Sequence, residues 1–290
     1  MSTPTVDRTA APFDPRDHIA KKPGAITRGL RWVREHIIGI AAVLALFYLF
    51  LPIAIVVIFS FNKPVGRQNV AWNEFSLDAW TNICRDPTIC ESVGVSLQIA
   101  FVATIIATLL GTLISFALVR HRFRGRTATN LLIFLPMATP EVVLGASLLA
   151  LFLNLGAPLG FGTILIAHVM FCISFVVVTV KARLAGLDPR LEQAAMDLYA
   201  DERTTFRYVT LPLVLPGIIS AGLLAFSLSF DDFIITNFNN GTLVTFPLYV
   251  WGAAQRGIPP QVNVIGSLMF FGALAIVVIA QIVGAARRKK

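Results

Sequence analysis

Six long apolar stretches constrain this 290-residue chain more than any motif it carries: residues 36–59, 93–119, 130–153, 162–180, 213–238 and 262–284. At 1.5 Å rise per helical residue, each matches the roughly 30 Å hydrocarbon core of a bilayer. The rest of the composition agrees, with 56% hydrophobic and 14% charged residues, where soluble domains carry about 25% charged. The mean hydropathy is +0.75. These values exclude an ordinary soluble domain and predict an all-α integral membrane protein with six transmembrane helices.

Basic residues set the expected orientation, because loops retained in the cytoplasm are rich in Lys and Arg. Of the 24 such residues, 20 lie before the first stretch, in the RHRFRGR run from Arg120 to Arg126, between Lys181 and Arg207, or at the C-terminus. Lys63, Arg67, Arg85 and Arg256 occupy the opposite loops, so both termini are expected on the cytoplasmic side. The formal charge of +8 then reports topology and contact with anionic lipid head groups, not nucleic acid.

One membrane domain is expected over residues 36–284, preceded by a cytoplasmic tail at 1–35 and followed by a basic tail at 285–290. The first 25 residues, with four prolines, read as disordered. RGLRWVRE at 28–35 reads either as a basic amphipathic helix on the inner interface or as a solvated charged flank. The first stretch has the length of an uncleaved anchor rather than a leader. The outer segment 60–92 carries Trp72 and Trp80, with FSLDAW (75–80) expected as a short interfacial helix. It also holds Cys84 and Cys90 in CRDPTIC, where a turn at Asp86-Pro87 leaves open both a bridge and two free thiols. Cys172, within a span, reads as inert packing.

Three carboxylates fall inside the apolar stretches. Pro136 and Pro140 interrupt the third stretch in LPMATPEVVLG, and Glu141 follows at once; a helix broken in this way is tolerated where it lines a cavity. The fifth stretch carries Asp231 and Asp232 in LSFDDFIITNF. Residues adjacent on a helix point about 100° apart, so at most one of this pair squarely faces a pore. No Lys or Arg lies at comparable depth, and an unpaired charge there costs about 2.5 kcal/mol or more. Such carboxylates read as a path for cations, with Phe230, Phe233, Tyr249 and Trp251 available to hold an ammonium group by cation–π attraction. The competing reading protonates them or bonds them to Ser227, Ser229, Thr236 and Asn237. His168 in the fourth stretch reads as a satisfied core histidine, with no second metal ligand at useful spacing.

Between the fourth and fifth stretches lies a polar segment, LEQAAMDLYADERTTFRYVTLP at 191–212. Asp188-Pro189 can start a first short helix and Asp201 can cap a second, giving a knob that fits a partner's groove. This segment resembles the cytoplasmic loop of the permease subunits of bacterial ABC importers, whose pattern is EAA, three residues, Gly, nine residues, Ile-x-Leu-Pro. Ala194 and Ala195 match, nine residues separate Tyr199 from Val209, and Val209-Thr210-Leu211-Pro212 closes the motif. Gln193 replaces the Glu and Tyr199 replaces the Gly; Glu192, one position early, stands as a partial substitute for the lost charge. LPMATPEVVLGASLL, FVVVTVKARL, PGIISAGLLAFSLSFDDFIITNF and PLYVWGAAQRGIPPQVN extend the resemblance across the membrane region, most closely to the spermidine/putrescine branch.

The resemblance implies a type I ABC importer permease fold moving polyamines by ATP-driven alternating access. The implied partners are a second, similar permease, two copies of an ABC ATPase, an extracytoplasmic polyamine-binding protein and membrane lipids. ATP and Mg would reside on the ATPase, since this chain has no GxxxxGK[ST] loop, and no cofactor and no enzymatic activity are expected here. The loop at 181–212 would couple to the ATPase through Glu192, Gln193, Ala194, Ala195, Asp197, Tyr199, Asp201 and Glu202. Glu141, Asp231, Asp232, Phe230, Tyr249 and Trp251 would line the substrate pathway. Three rivals remain: an ABC permease for another cation; an ion-coupled secondary transporter, which often carries inverted repeats not found here; and, weakest, a membrane enzyme, for which the sequence has no HExxH or GxSxG motif.

Overall fold

The computed structural model describes residues 25–288 apart from Arg67, and side chains over 36–282 apart from Arg67 and Ala280. The expected disordered tail, the faces of the 28–35 helix and the basic C-terminal tail therefore lie outside the described side chains. Among the described residues the regular structure is helical, with one isolated bridge between Asn62 and Phe75.

Helix α1 (Ala25–Phe59) carries the first span. The loop after it forms α2 (Asp78–Thr81), one turn rather than the helix expected from residue 75, because Phe75 is used in the bridge to Asn62. Helix α3 (Pro87–Arg120) starts where Asp86 accepts a hydrogen bond from the Thr88 N–H, with proline at its first position. Asp86-Pro87 thus opens a helix instead of making the expected turn.

The third span is two helices, α4 (Arg126–Ala138) and α5 (Glu141–Asn154), bent by 108° at Thr139-Pro140. Pro140 has no N–H to continue α4 and disfavours the helical conformation for Thr139, which is extended at ψ 132°. Helix α6 (Phe161–Ala185) follows, then the knob, α7 (Arg190–Asp197) and α8 (Glu202–Thr205). A π-turn (Phe206–Thr210) leads from α8 into α9 (Leu211–Phe230). Pro212 cannot donate to the ladder, and widening by one residue accommodates its ring. The expected fifth span stops short: α9 ends at Phe230, and α10 (Ile234–Asn239) begins only after a break at Asp231–Phe233. Helix α11 (Phe246–Arg256) and α12 (Pro260–Arg288) complete the chain. Among the described residues five helices are long and apolar enough to cross a membrane, six spans if the bent pair counts as one.

Helices α3, α6 and α9 pack mutually and hold the core. Lipid is as apolar as leucine, so burying aliphatic surface does not drive this association; close backbone approach and interhelical hydrogen bonds do. The sequence supplies both. Ala103, Ala107, Gly111 and Ser115 recur every fourth residue as one buried stripe on α3. A Cβ at Gly111 would stand 2.6 Å from Val176 Cγ1 on α6, so only glycine permits this contact. One turn on, the Ser115 hydroxyl lies 2.7 Å from the Gly111 carbonyl and 3.1 Å from that of Val177.

Candidate functional site

The break between α9 and α10 separates the two aspartates. Asp232 turns inward and caps α10: its carboxylate accepts from the Thr236 N–H at 2.8 Å, the Thr236 hydroxyl at 2.8 Å and the Ile235 N–H at 3.4 Å. His168 of α6 places Nε2 3.2 Å from Asp232 Oδ2, and both side chains are almost fully buried. The same ring lies 2.8 Å from Ser229 Oγ at Nδ1 and 2.9 Å from Thr236 Oγ1 at Nε2. Asp232 was expected on the pathway; it is instead enclosed in this network, as the tight cap requires. Both ring nitrogens of His168 are satisfied, as expected of a core histidine.

Asp231 is exposed and faces the other way. It lines a recess of about 370 Å³ with Phe230, Phe233, Phe246, Val250 and Trp251, and no residue lining it is basic. The Phe233 and Trp251 rings lie 5.2 Å apart and those of Phe230 and Phe246 6.4 Å apart. A carboxylate beside the exposed Trp251 ring and the half-buried Phe230 and Phe233 suits an organic ammonium group, which gains from both charge and ring quadrupole. Tyr249 is not part of this recess. Two residues from Trp251 on α11, it points about 200° around the helix. Glu141 is exposed at the first turn of α5, in the bend of the third span, and does not line the recess either.

Tyr249 belongs to a separate cavity of about 840 Å³, lined also by Lys63, Asp78, Arg85, Asp86 and Arg256. Its hydroxyl donates to Asp86 Oδ2 at 3.0 Å. Burial pushes the Asp86 carboxyl up, but the Thr88 bonds and the Tyr249 hydroxyl outweigh it and hold the group below its ordinary value. Burial and the Asp86 carboxylate push Tyr249 up to about 12. Nearby, Cys84 and Cys90 form a disulfide with Cα atoms 5.6 Å apart. Trp80 and Phe75 stack on Phe61, so these aromatics pack within the loop itself.

At the opposite end of α3 stands the knob. Gln193, Ala194, Asp197, Asp201 and Glu202 are exposed and Ala195 is half-buried. Asp201 caps α8 by accepting from the Thr204 N–H at 2.9 Å, a bond that lowers its pKa. Tyr199 takes a left-handed φ of 64° and is 100% exposed, beside Leu198 at 81%. Glu192 departs from expectation. Its carboxylate does not face outward to replace the charge lost at Gln193; it is gripped by both Nη groups of Arg120 and by the Thr210 hydroxyl. Arg120 escaped the sequence reading because it opens the basic run used to count topology. Its position as the last residue of a predicted span was the available signal.

The break at Asp231 beside a carboxylate recess, the bent third span and the helical knob beyond the apolar region belong to a polytopic transport subunit with the type I ABC importer permease fold. A bacterial ABC transporter involved in the import of alginate shares that fold at TM-score 0.60 and 16% identity, over 92% of this chain and 99% of that one. The methionine ABC transporter MetNI does so at TM-score 0.56 and 14% identity, over 69% and 98%. The chain belongs to the binding-protein-dependent transport system inner membrane component family, whose sequence profile matches residues 103–288. It is 40% identical over 237 residues to the spermidine/putrescine transport system permease protein PotC of Haemophilus influenzae, covering 81% of this chain and 91% of that protein. With the putrescine transport system permease protein PotI of Escherichia coli K12 it shares 38% identity over 238 residues, covering 79% and 84%. The chain is therefore a multi-pass bacterial inner-membrane protein and a transport subunit, not an enzyme.

Proposed function

We propose that this chain is a permease subunit of an ATP-driven importer of polyamines. Its relatives in the spermidine/putrescine and putrescine systems support that substrate class. The observation that carries it on this chain is Asp231, a carboxylate at a helix break in an aromatic recess without basic residues. A linear polycation entering the membrane loses water; a carboxylate and ring faces replace part of that solvation. Phe230 and Trp251 act with Asp231. Glu141, at the other broken span, and Tyr249, in the separate cavity, serve earlier or later points of the path.

In this reading both termini are cytoplasmic and the 181–212 loop docks on an ABC ATPase. Leu198 and Tyr199 form the apolar tip of the docking surface, with Gln193, Ala194, Asp197, Asp201 and Glu202 around it. A second permease completes the pathway, two ATPase copies carry ATP and Mg, and an extracytoplasmic binding protein delivers substrate to the outer face.

The test is uptake of labelled spermidine by the reconstituted complex. Asp231→Asn should lower uptake at least tenfold while the complex assembles normally. Uptake equal to wild type would remove Asp231 from the path. Spermidine uptake by this chain alone, driven by an ion gradient without ATPase, would overturn the importer reading.

A further inference from the structure

We infer that Arg120 and Glu192 form the joint through which movement of the knob is passed to α3, and through α3 to the cavity lined by Tyr249. The inference rests on the importer reading above, but concerns residues that reading does not use.

Helix α7 is set between two short non-helical connections, Gly186–Pro189 from α6 and Leu198–Asp201 to α8, which itself runs on through the π-turn into α9. Main chain of that kind bends, so a push on α7 reaches the spans through side-chain contacts. The Glu192 carboxylate, in the first turn of α7, ties three elements together. Arg120 Nη1 and Nη2 donate to its two oxygens from the C-terminal residue of α3. The Thr210 hydroxyl donates to Oε1 at 2.6 Å from the start of α9. A two-pronged guanidinium–carboxylate pair fixes orientation as well as distance, which a single lysine contact would not. Beside it, the Phe116 ring of α3 meets Phe206 of the π-turn edge-on at 5.4 Å. The pair is partly shielded, with side-chain exposures of 33% for Arg120 and 19% for Glu192.

What α3 does with that movement follows from its length. Its 34 residues form an unbroken rod of roughly 51 Å. One end is gripped by Glu192. At the other, Asp86 caps the helix and receives the Tyr249 hydroxyl, which lines that cavity. In between, Gly111 and Ser115 lock α3 to α6 without side-chain slack. A shift at Arg120 therefore appears at Asp86 and Tyr249. Glu192 and Arg120 are positioning residues, which act by carrying displacement from α7 to α3.

The experiment uses the complete complex of this chain with its second permease, ATPase and binding protein in liposomes. It reads labelled spermidine moved per ATP hydrolysed. Arg120→Glu sets two carboxylates against each other and should lower that ratio at least fivefold, while ATPase still co-purifies and hydrolyses ATP. Arg120→Glu combined with Glu192→Arg restores the pair in reverse and should recover at least half the ratio, which a lesion merely in folding would not do. An unchanged ratio in Arg120→Glu, or no recovery in the double variant, would overturn the joint. Loss of ATPase recruitment in Arg120→Glu would equally overturn it, by making the pair a support for the docking surface. A wild-type chain that recruits no ATPase would instead overturn the importer reading.

Discussion

His168 Nε2 stands 3.2 Å from Asp232 Oδ2, across 64 residues of chain and within a polar cluster that also takes in Ser229 and Thr236. This contact anchors α10 to α6 and leaves Asp231, one residue earlier, to turn the opposite way. Two neighbouring carboxylates thereby acquire different roles. Asp232→Ala strips the cap from α10 and leaves His168 short of a partner in a buried site, a loss of about 2–4 kcal/mol. Thermal unfolding in detergent should show it as a clear drop in Tm, whereas Asp231→Asn should unfold within about 0.5 kcal/mol of wild type, as exposed substitutions do. Equal losses in both would contradict the division.

Trp251 presents an exposed ring to the same recess as Asp231. Removing one cation–π face costs about 0.5–2 kcal/mol, so Trp251→Ala should raise the apparent KM for spermidine uptake by about 2- to 30-fold. Trp251→Phe, which keeps a face, should recover most of it. Tyr249→Phe, in a different cavity, should leave KM within about twofold; a KM shift matching that of Trp251→Ala would merge the two sites.

The disulfide Cys84–Cys90 closes a short loop around Asp86, which caps α3. Chain-entropy estimates for so small a loop give about 2 kcal/mol. Cys84→Ser with Cys90→Ser should lower Tm accordingly, and reductant should lower wild type to the same value without affecting the variant. In the native wild type the remaining thiol, Cys172, is buried, so alkylation before unfolding should label nothing.

The Asp86–Tyr249 bond gives a pH dependence with two limbs. Asp86 lies below its ordinary 3.8 in the folded chain, so its share of stability is complete above that value and is lost as pH falls through the folded one. Tyr249, raised from 10.0 to about 12, contributes fully below pH 10 and loses its share as pH rises toward 12. The stability difference between wild type and Tyr249→Phe should therefore be constant between about pH 5 and 9 and shrink on both sides. A difference that varied across neutral pH would assign the bond elsewhere.

Much of this was legible in the sequence because bilayer thickness and spacing are one-dimensional constraints. Span lengths gave the helices; Pro136 and Pro140 announced the bend, since a missing N–H is a local property. The loop motif announced the knob. The break at Asp231 was not legible: 213–238 is apolar enough for a full span, with only scattered Ser, Thr and Asn besides its aspartates, and hydropathy is indifferent to the backbone path. What decides the break is the affinity of the Asp232 carboxylate for Thr236 and for His168, the latter brought up from another helix. The same holds for Glu192, whose direction is set by Arg120, 72 residues away.

Tyr199 occupies the position where the loop pattern has glycine, and its φ of 64° shows that the left-handed turn survives the substitution. An L-residue there carries about 1–2 kcal/mol of strain. None of the described residues covers its ring, which is 100% exposed, so no packing among them compensates for that strain. Tyr199→Gly should accordingly leave the purified permease as stable as wild type or up to about 1 kcal/mol more so. Tyr199→Ala keeps most of the strain and should not stabilise. If the ring is retained for contact with the ATPase, both variants should recruit it less well, by a similar factor, in co-purification. Full recruitment by Tyr199→Gly would mean that the turn alone is read by the partner and that the aromatic ring at the tip is incidental.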